Sequence, residues 1–217
     1  MMTQTHLLVG AALFCSPARS WKQNAAVLAG AMAPDAAIYA LFTWSKFAGI
    51  PERQLWNEIY FSEPMLTYTA IGNSAPLYAL IAILGLAGVK AMDDQLVTLE
   101  ERRNAVRFHG STGPQYTNVL VLFGLAALAH IALDFPVHAN DAHPHFWPIT
   151  DWRFTSPISY WDPAYYGDMV SAAEAIFGIV LTVTLFRRFK APLVRIALAG
   201  LAVAYLAVPI YFQMALA

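Results

Sequence analysis

Four apolar runs decide what this chain can become. Residues 76–89, 116–135, 169–186 and 192–212 are each long enough, or nearly so, to cross a bilayer as a helix. Lipid offers no water to an open backbone, so a spanning segment must satisfy its own hydrogen bonds. Only 12% of the residues are charged and 58% are hydrophobic, against about 25% charged in soluble domains. The expected fold is therefore all-α: a polytopic integral membrane helical bundle with five or six membrane helices, in a single domain over residues 1–217. The segments fall at roughly 5–16, 23–46, 70–91, 115–135, 167–187 and 191–213. The first is short for a full span and reads as a half-helix. It lacks a basic stretch before it and a small-residue cleavage site after it, so it reads as retained, not as a signal peptide. Pro34 interrupts the second, since proline removes a helix hydrogen bond and clashes with the preceding turn.

Basic residues orient such a bundle, because basic loops stay cytoplasmic. Arg19, Lys22, Lys90, Arg102, Arg103, Arg107, Arg187, Arg188, Lys190 and Arg195 fall on one side of this topology; Lys46, Arg53 and Arg153 fall on the other. The 46–69 and 136–166 loops are thus expected outside the cytoplasm. The 92–114 loop, with His109, is expected inside. His6, Asn73, His130, Asp134, Asp168 and Glu174 then converge on the outer end of the bundle.

The densest polar stretch is HIALDFPVHANDAHPHFWP at 130–148, with four of the six histidines. His130 and Asp134 stand i, i+4, which puts both side chains on one helical face. Such a pair can hold a borderline cation such as Zn²⁺, or the two can bond each other at a helix end. Ionisable groups at membrane depth are rare and usually functional, which favours the metal. His138 follows the turn at Pro136, and His143 and His145 come next. Asp35, in the apolar run after Pro34, fits two roles: a ligand, or a cap for the helix that restarts there. His6 fits a surface or capping residue as well as a ligand. Glu174, about 9 Å into its helix by helical rise, needs a partner: a metal, a histidine, Asn73, or a backbone carbonyl if protonated. Trp147, Trp152, Trp161, Tyr160, Tyr165 and Tyr166 read as an interfacial aromatic belt. Cys15 reads as a packed thiol. A lone cysteine excludes a disulfide framework, the net charge of −1 argues against nucleic acid, and no nucleophile elbow, P-loop or dinucleotide fingerprint is present.

At these residues the chain resembles the YdjM-like family of membrane-bound metal-dependent hydrolases. T-H-L-L-V-G at 5–10, A-P-D at 33–35, H-I-A-L-D at 130–134 and H-F-W-P at 145–148 carry the resemblance. A more distant likeness is to zinc-dependent phospholipase C, through H-x-x-x-D followed by P-x-H over 130–138. These resemblances imply His6, His130, Asp134 and His138 as ligands to one or more Zn²⁺ ions, with His145 as a further candidate. They imply Asp35 as a metal ligand or as the catalytic base. Asn73-Ser74 stands where the YdjM-like pattern often has His-Ser. The implied function is a membrane-bound hydrolase of a phosphoester or lipid-linked substrate, in the bacterial inner membrane, with its site on the extracytoplasmic side. The expected partners are the lipid bilayer and a small-molecule or lipid substrate. A non-catalytic metal-binding or transport protein is the alternative, and a purely structural protein with a polar cap is a third reading.

Overall fold

The structure is a computed structural model that describes residues 1–95 and 117–216. Among the described residues it is all helical, as expected. The helices are α1 (Thr3–Phe14), α2 (Trp21–Met32), α3 (Ala36–Ala48), the single turn α4 (Glu52–Gln54), α5 (Glu63–Gly72), α6 (Ala75–Gln95), α7 (Thr117–Asp134), α8 (Gly167–Arg188) and α9 (Pro192–Leu216). His109 and most of the expected cytoplasmic loop lie outside the described residues.

Among the described residues four stretches are long and apolar enough to cross a membrane: Trp21–Ala48, Glu63–Lys90, Gly167–Arg188 and Pro192–Phe212; Val119–Asp134 is a shorter apolar helix. The first two run 28 residues each, about 42 Å at the helical rise, well beyond the ~30 Å of a hydrocarbon core. Both are interrupted. The 3₁₀ turn Ala33–Asp35 joins α2 to α3, as Pro34 leads one to expect. Asn73 and Ser74 separate α5 from α6. That second interruption, and α4 and most of α5, fall where the sequence reads only a loop and the start of a helix. The two breaks touch. A Cβ at Gly72 would lie 2.9 Å from the Pro34 carbonyl oxygen, so only glycine allows this approach without a shift.

Helices in lipid gain little from hydrophobic transfer and associate through close packing of small residues. Gly30 of α2 meets α7 so closely that a Cβ there would overlap the Phe123 carbonyl. Beside it Val27, Ala31, Leu122 and Ala126 form one apolar cluster with Cys15. Leu8, Leu185, Leu198 and Tyr205 form another, tying α1 to α8 and α9. The start of α2 is fixed by a capping box between Ser20 and Gln23.

Candidate metal centre

Each helix break leaves backbone groups without a partner, and a histidine meets each need. In the 3₁₀ turn the Ala31 carbonyl would take its hydrogen bond from residue 34, which is proline and has no N–H. His130 fills the gap, with Nδ1 2.7 Å from Ala31 O. A carbonyl only accepts, so Nδ1 carries the proton and the lone pair of a neutral ring sits on Nε2. At the second break, Ala75 N–H donates to the His145 carbonyl at 2.8 Å, and His145 Nδ1 stands 3.3 Å from Asn73 O. Ser74 O–H also donates to the Trp147 carbonyl, at 2.5 Å. The loop after α7 is thereby laced to the start of α6.

Fixed in that way, His130 Nε2 faces two carboxylates: Asp134 Oδ2 at 3.1 Å and Asp35 Oδ1 at 3.6 Å. A neutral ring would point its lone pair at other lone pairs. A proton on the ring or a metal cation between the groups removes that conflict. His6 enters from α1, its ring stacked on His130 with centroids 3.5 Å apart and planes 10° from parallel. Its Nε2 is 2.9 Å from Asp134 Oδ1, yet neither His6 nitrogen makes an aligned hydrogen bond. The three residues are nearly sealed, at 1%, 1% and 3% exposure for His6, His130 and Asp134. One donor atom from each lies within 4.8 Å of the others. Ligands of a tetrahedral zinc site stand about 3.3 Å apart for bonds of 2.0–2.1 Å, so the three donors are near ligand spacing, and the stacked rings must turn to aim both lone pairs at one ion. The ammonium of Met1 also bonds Asp134 Oδ1.

Asp35 does not cap the restarted helix with its side chain. It accepts the hydroxyl proton of Thr3 instead, and its carboxylate is the most open of the group, 13% exposed. His138 lies at the rim, with Nε2 3.4 Å from Asp134 Oδ1 and Nδ1 2.9 Å from Asp141 Oδ2. Burial works against a charge on His138, but Asp134 and Asp141 outweigh it and push its pKa up to about 9. Burial, followed by the neighbouring His138, holds His143 below its ordinary value. Burial also lowers His145. Of the residues singled out from sequence, His6, Asp35, His130, Asp134 and His138 thus meet. His145 sits one layer out, on the Asn73 backbone.

Glu174 is partnered by groups the sequence does not suggest. Its Oε1 accepts from Thr5 O–H at 2.5 Å and from Met2 N–H at 2.7 Å, while Oε2 has no partner. Tyr205 O–H lies 2.7 Å from Thr5 Oγ1 and completes this chain of bonds. Hydroxyl residues in an apolar helix leave no hydropathy signal, so only the proximity of Thr3 and Thr5 to His6 in sequence hints at their place.

The family model described as YdjM inner membrane protein matches residues 1–216. No curated protein and no solved structure matches the chain. The phospholipase C likeness rests on the residue pattern at 130–138 alone.

Proposed function

We propose, for a chain that belongs to the YdjM inner membrane protein family, a metal-dependent hydrolase acting on a phosphoester, free or lipid-linked. The observation that carries this reading is the buried set of His6, His130 and Asp134, with donor atoms within 4.8 Å of one another. Two imidazoles and a carboxylate suit Zn²⁺. When bound, Zn²⁺ lowers the pKa of a water ligand to about 7 and polarises a phosphoryl oxygen.

The chain's own groups have separable tasks. His130 is held in one tautomer by the Ala31 carbonyl, which leaves Nε2 as a donor. Asp134 offers one oxygen to His130 and the other to His6. Asp35 stands beside the three donors and is more open than they are; in this reading it orients water or takes its proton. The 10-to-3 division of Lys and Arg between the two sides supports a site at the extracytoplasmic end.

Non-catalytic metal transport is the second reading. It draws on Glu174, whose carboxylate extends the buried polar groups along α8. That polar chain stops at Tyr205, against the apolar cluster of Leu8, Leu185 and Leu198. A polar chain that ends there among the described residues suits chemistry better than passage.

The test is turnover of a chromogenic phosphodiester by protein in detergent, with metal stripped and then restored. Turnover that needs Zn²⁺ and is lost in both Asp134→Asn and Asp35→Asn supports the hydrolase. Asp35→Asn should keep its metal and Asp134→Asn should not. Zn²⁺ flux into liposomes without turnover favours transport.

A further inference from the structure

The loop after α7 contains a carboxylate that no motif singles out. Asp141 is buried, and its Oδ2 accepts from Trp161 Nε1–H at 2.9 Å. The same oxygen lies 2.9 Å from His138 Nδ1. The opposite ring nitrogen, Nε2, points at the Asp134 oxygen that also faces His6. The imidazole of His138 therefore lies between a carboxylate of the metal centre and one outside it. As placed, neither His138 nitrogen makes an aligned hydrogen bond, although the residue is only 5% exposed.

The backbone around His138 is firmly held. Ser156 N–H donates to its carbonyl at 2.9 Å, and Tyr160 N–H donates to that of Val137 at 3.0 Å. A metal ion takes the place of the Nε2 proton, and the neutral ring then has one proton to keep. Asp141 decides where it stays, because a carboxylate beside Nδ1 holds the proton there and leaves Nε2 to the metal. A carboxylate behind a ligand histidine fixes both ring orientation and tautomer in metal sites generally. Trp161 in turn restrains the carboxylate.

We propose that Asp141 is the positioning residue that turns His138 into a further ligand of the metal centre. This rests on the metal reading of His6, His130 and Asp134. Its two steps are Trp161 holding Asp141, and Asp141 holding His138 with Nε2 toward Asp134.

The experiment is Zn²⁺ affinity of the full chain in detergent, by competition with a chromophoric chelator. Five proteins are compared: wild type, Asp141→Asn, Asp141→Glu, His138→Gln and the double variant of Asp141→Asn with His138→Gln. Melting of each metal-free protein is followed alongside. Asp141→Asn should weaken Zn²⁺ by about 10–100-fold, with no matching fall in metal-free melting. Asp141→Glu should recover most of the loss. The double variant should bind no more weakly than His138→Gln alone, because Asp141 acts only through that ring. Unchanged affinity in Asp141→Asn, or full additivity with His138→Gln, overturns the proposal while leaving the three-residue centre standing. Wild type that binds no Zn²⁺ overturns both.

Discussion

The two helix breaks solve one problem with different consequences. At Pro34 the orphan is a carbonyl, Ala31 O, and His130 satisfies it with one nitrogen while the other faces Asp134 and Asp35. At Asn73 the orphans are a carbonyl and an N–H, and His145 meets both, one with its ring and one with its backbone. The His145 ring packs beside Phe135, 5.7 Å between centroids, outside the three-donor set. The first histidine thus supports the backbone and belongs to the set that could hold a metal ion, whereas the second supports the backbone outside that set. Broken helices are tolerated at membrane depth only where protein or a wet cavity covers the freed backbone. Here one of the covering side chains also belongs to the candidate metal site.

Removing each histidine in turn is the sharpest way to break this contrast, and carries the largest effect. His130→Ala should lose nearly all bound Zn²⁺, and His145→Ala should keep it. Both should melt earlier, because each leaves a buried carbonyl unpaired at about 1–3 kcal/mol. Metal content and melting of the same samples separate the two effects. Next comes Leu8→Ala, two residues beyond His6 in α1 and fully buried in an apolar cluster. It should cost about 2–5 kcal/mol of stability, with metal per folded chain unchanged, as read by unfolding in detergent and metal analysis. Gly72→Val forces the two breaks apart where a Cβ already crowds Pro34 O. A loss of about 1–3 kcal/mol is expected, together with weaker Zn²⁺ binding by chelator competition. The smallest effect belongs to Ser20→Ala, which removes the α2 capping box far from both breaks. It should cost about 1 kcal/mol and leave Zn²⁺ affinity as it was. A Ser20→Ala protein with impaired metal binding would mean that the centre senses the whole fold and not its own level.

Much of this was legible in the sequence, for identifiable reasons. Hydropathy marks long helices, so the membrane segments and the break at Pro34 stand out. The spacing of His130 and Asp134 is a local helical property and needs no tertiary knowledge. The approach of α1 and α2 to α7 is tertiary, so topology and family resemblance offer His6 and Asp35 as candidate ligands without showing that they meet His130. Asn73, which stands where the family pattern often has histidine, donates its amide to Thr69 O and offers its backbone carbonyl to His145. The pairing of Asp141 with Trp161 spans 20 residues of irregular loop, where no periodicity exists to announce it. Thr5 and Tyr205 are hidden because one hydroxyl hardly alters the hydropathy of its helix.

The central claim is that one buried level of this bundle holds a metal ion through His6, His130 and Asp134. The most direct measurement is the zinc content of wild type and His130→Ala, purified at neutral pH without chelators and read by elemental mass spectrometry. Zinc in stoichiometric amount or more is expected in wild type, and almost none in His130→Ala with the helical signal retained. Metal-free wild type, or equal metal in the two proteins, would contradict it.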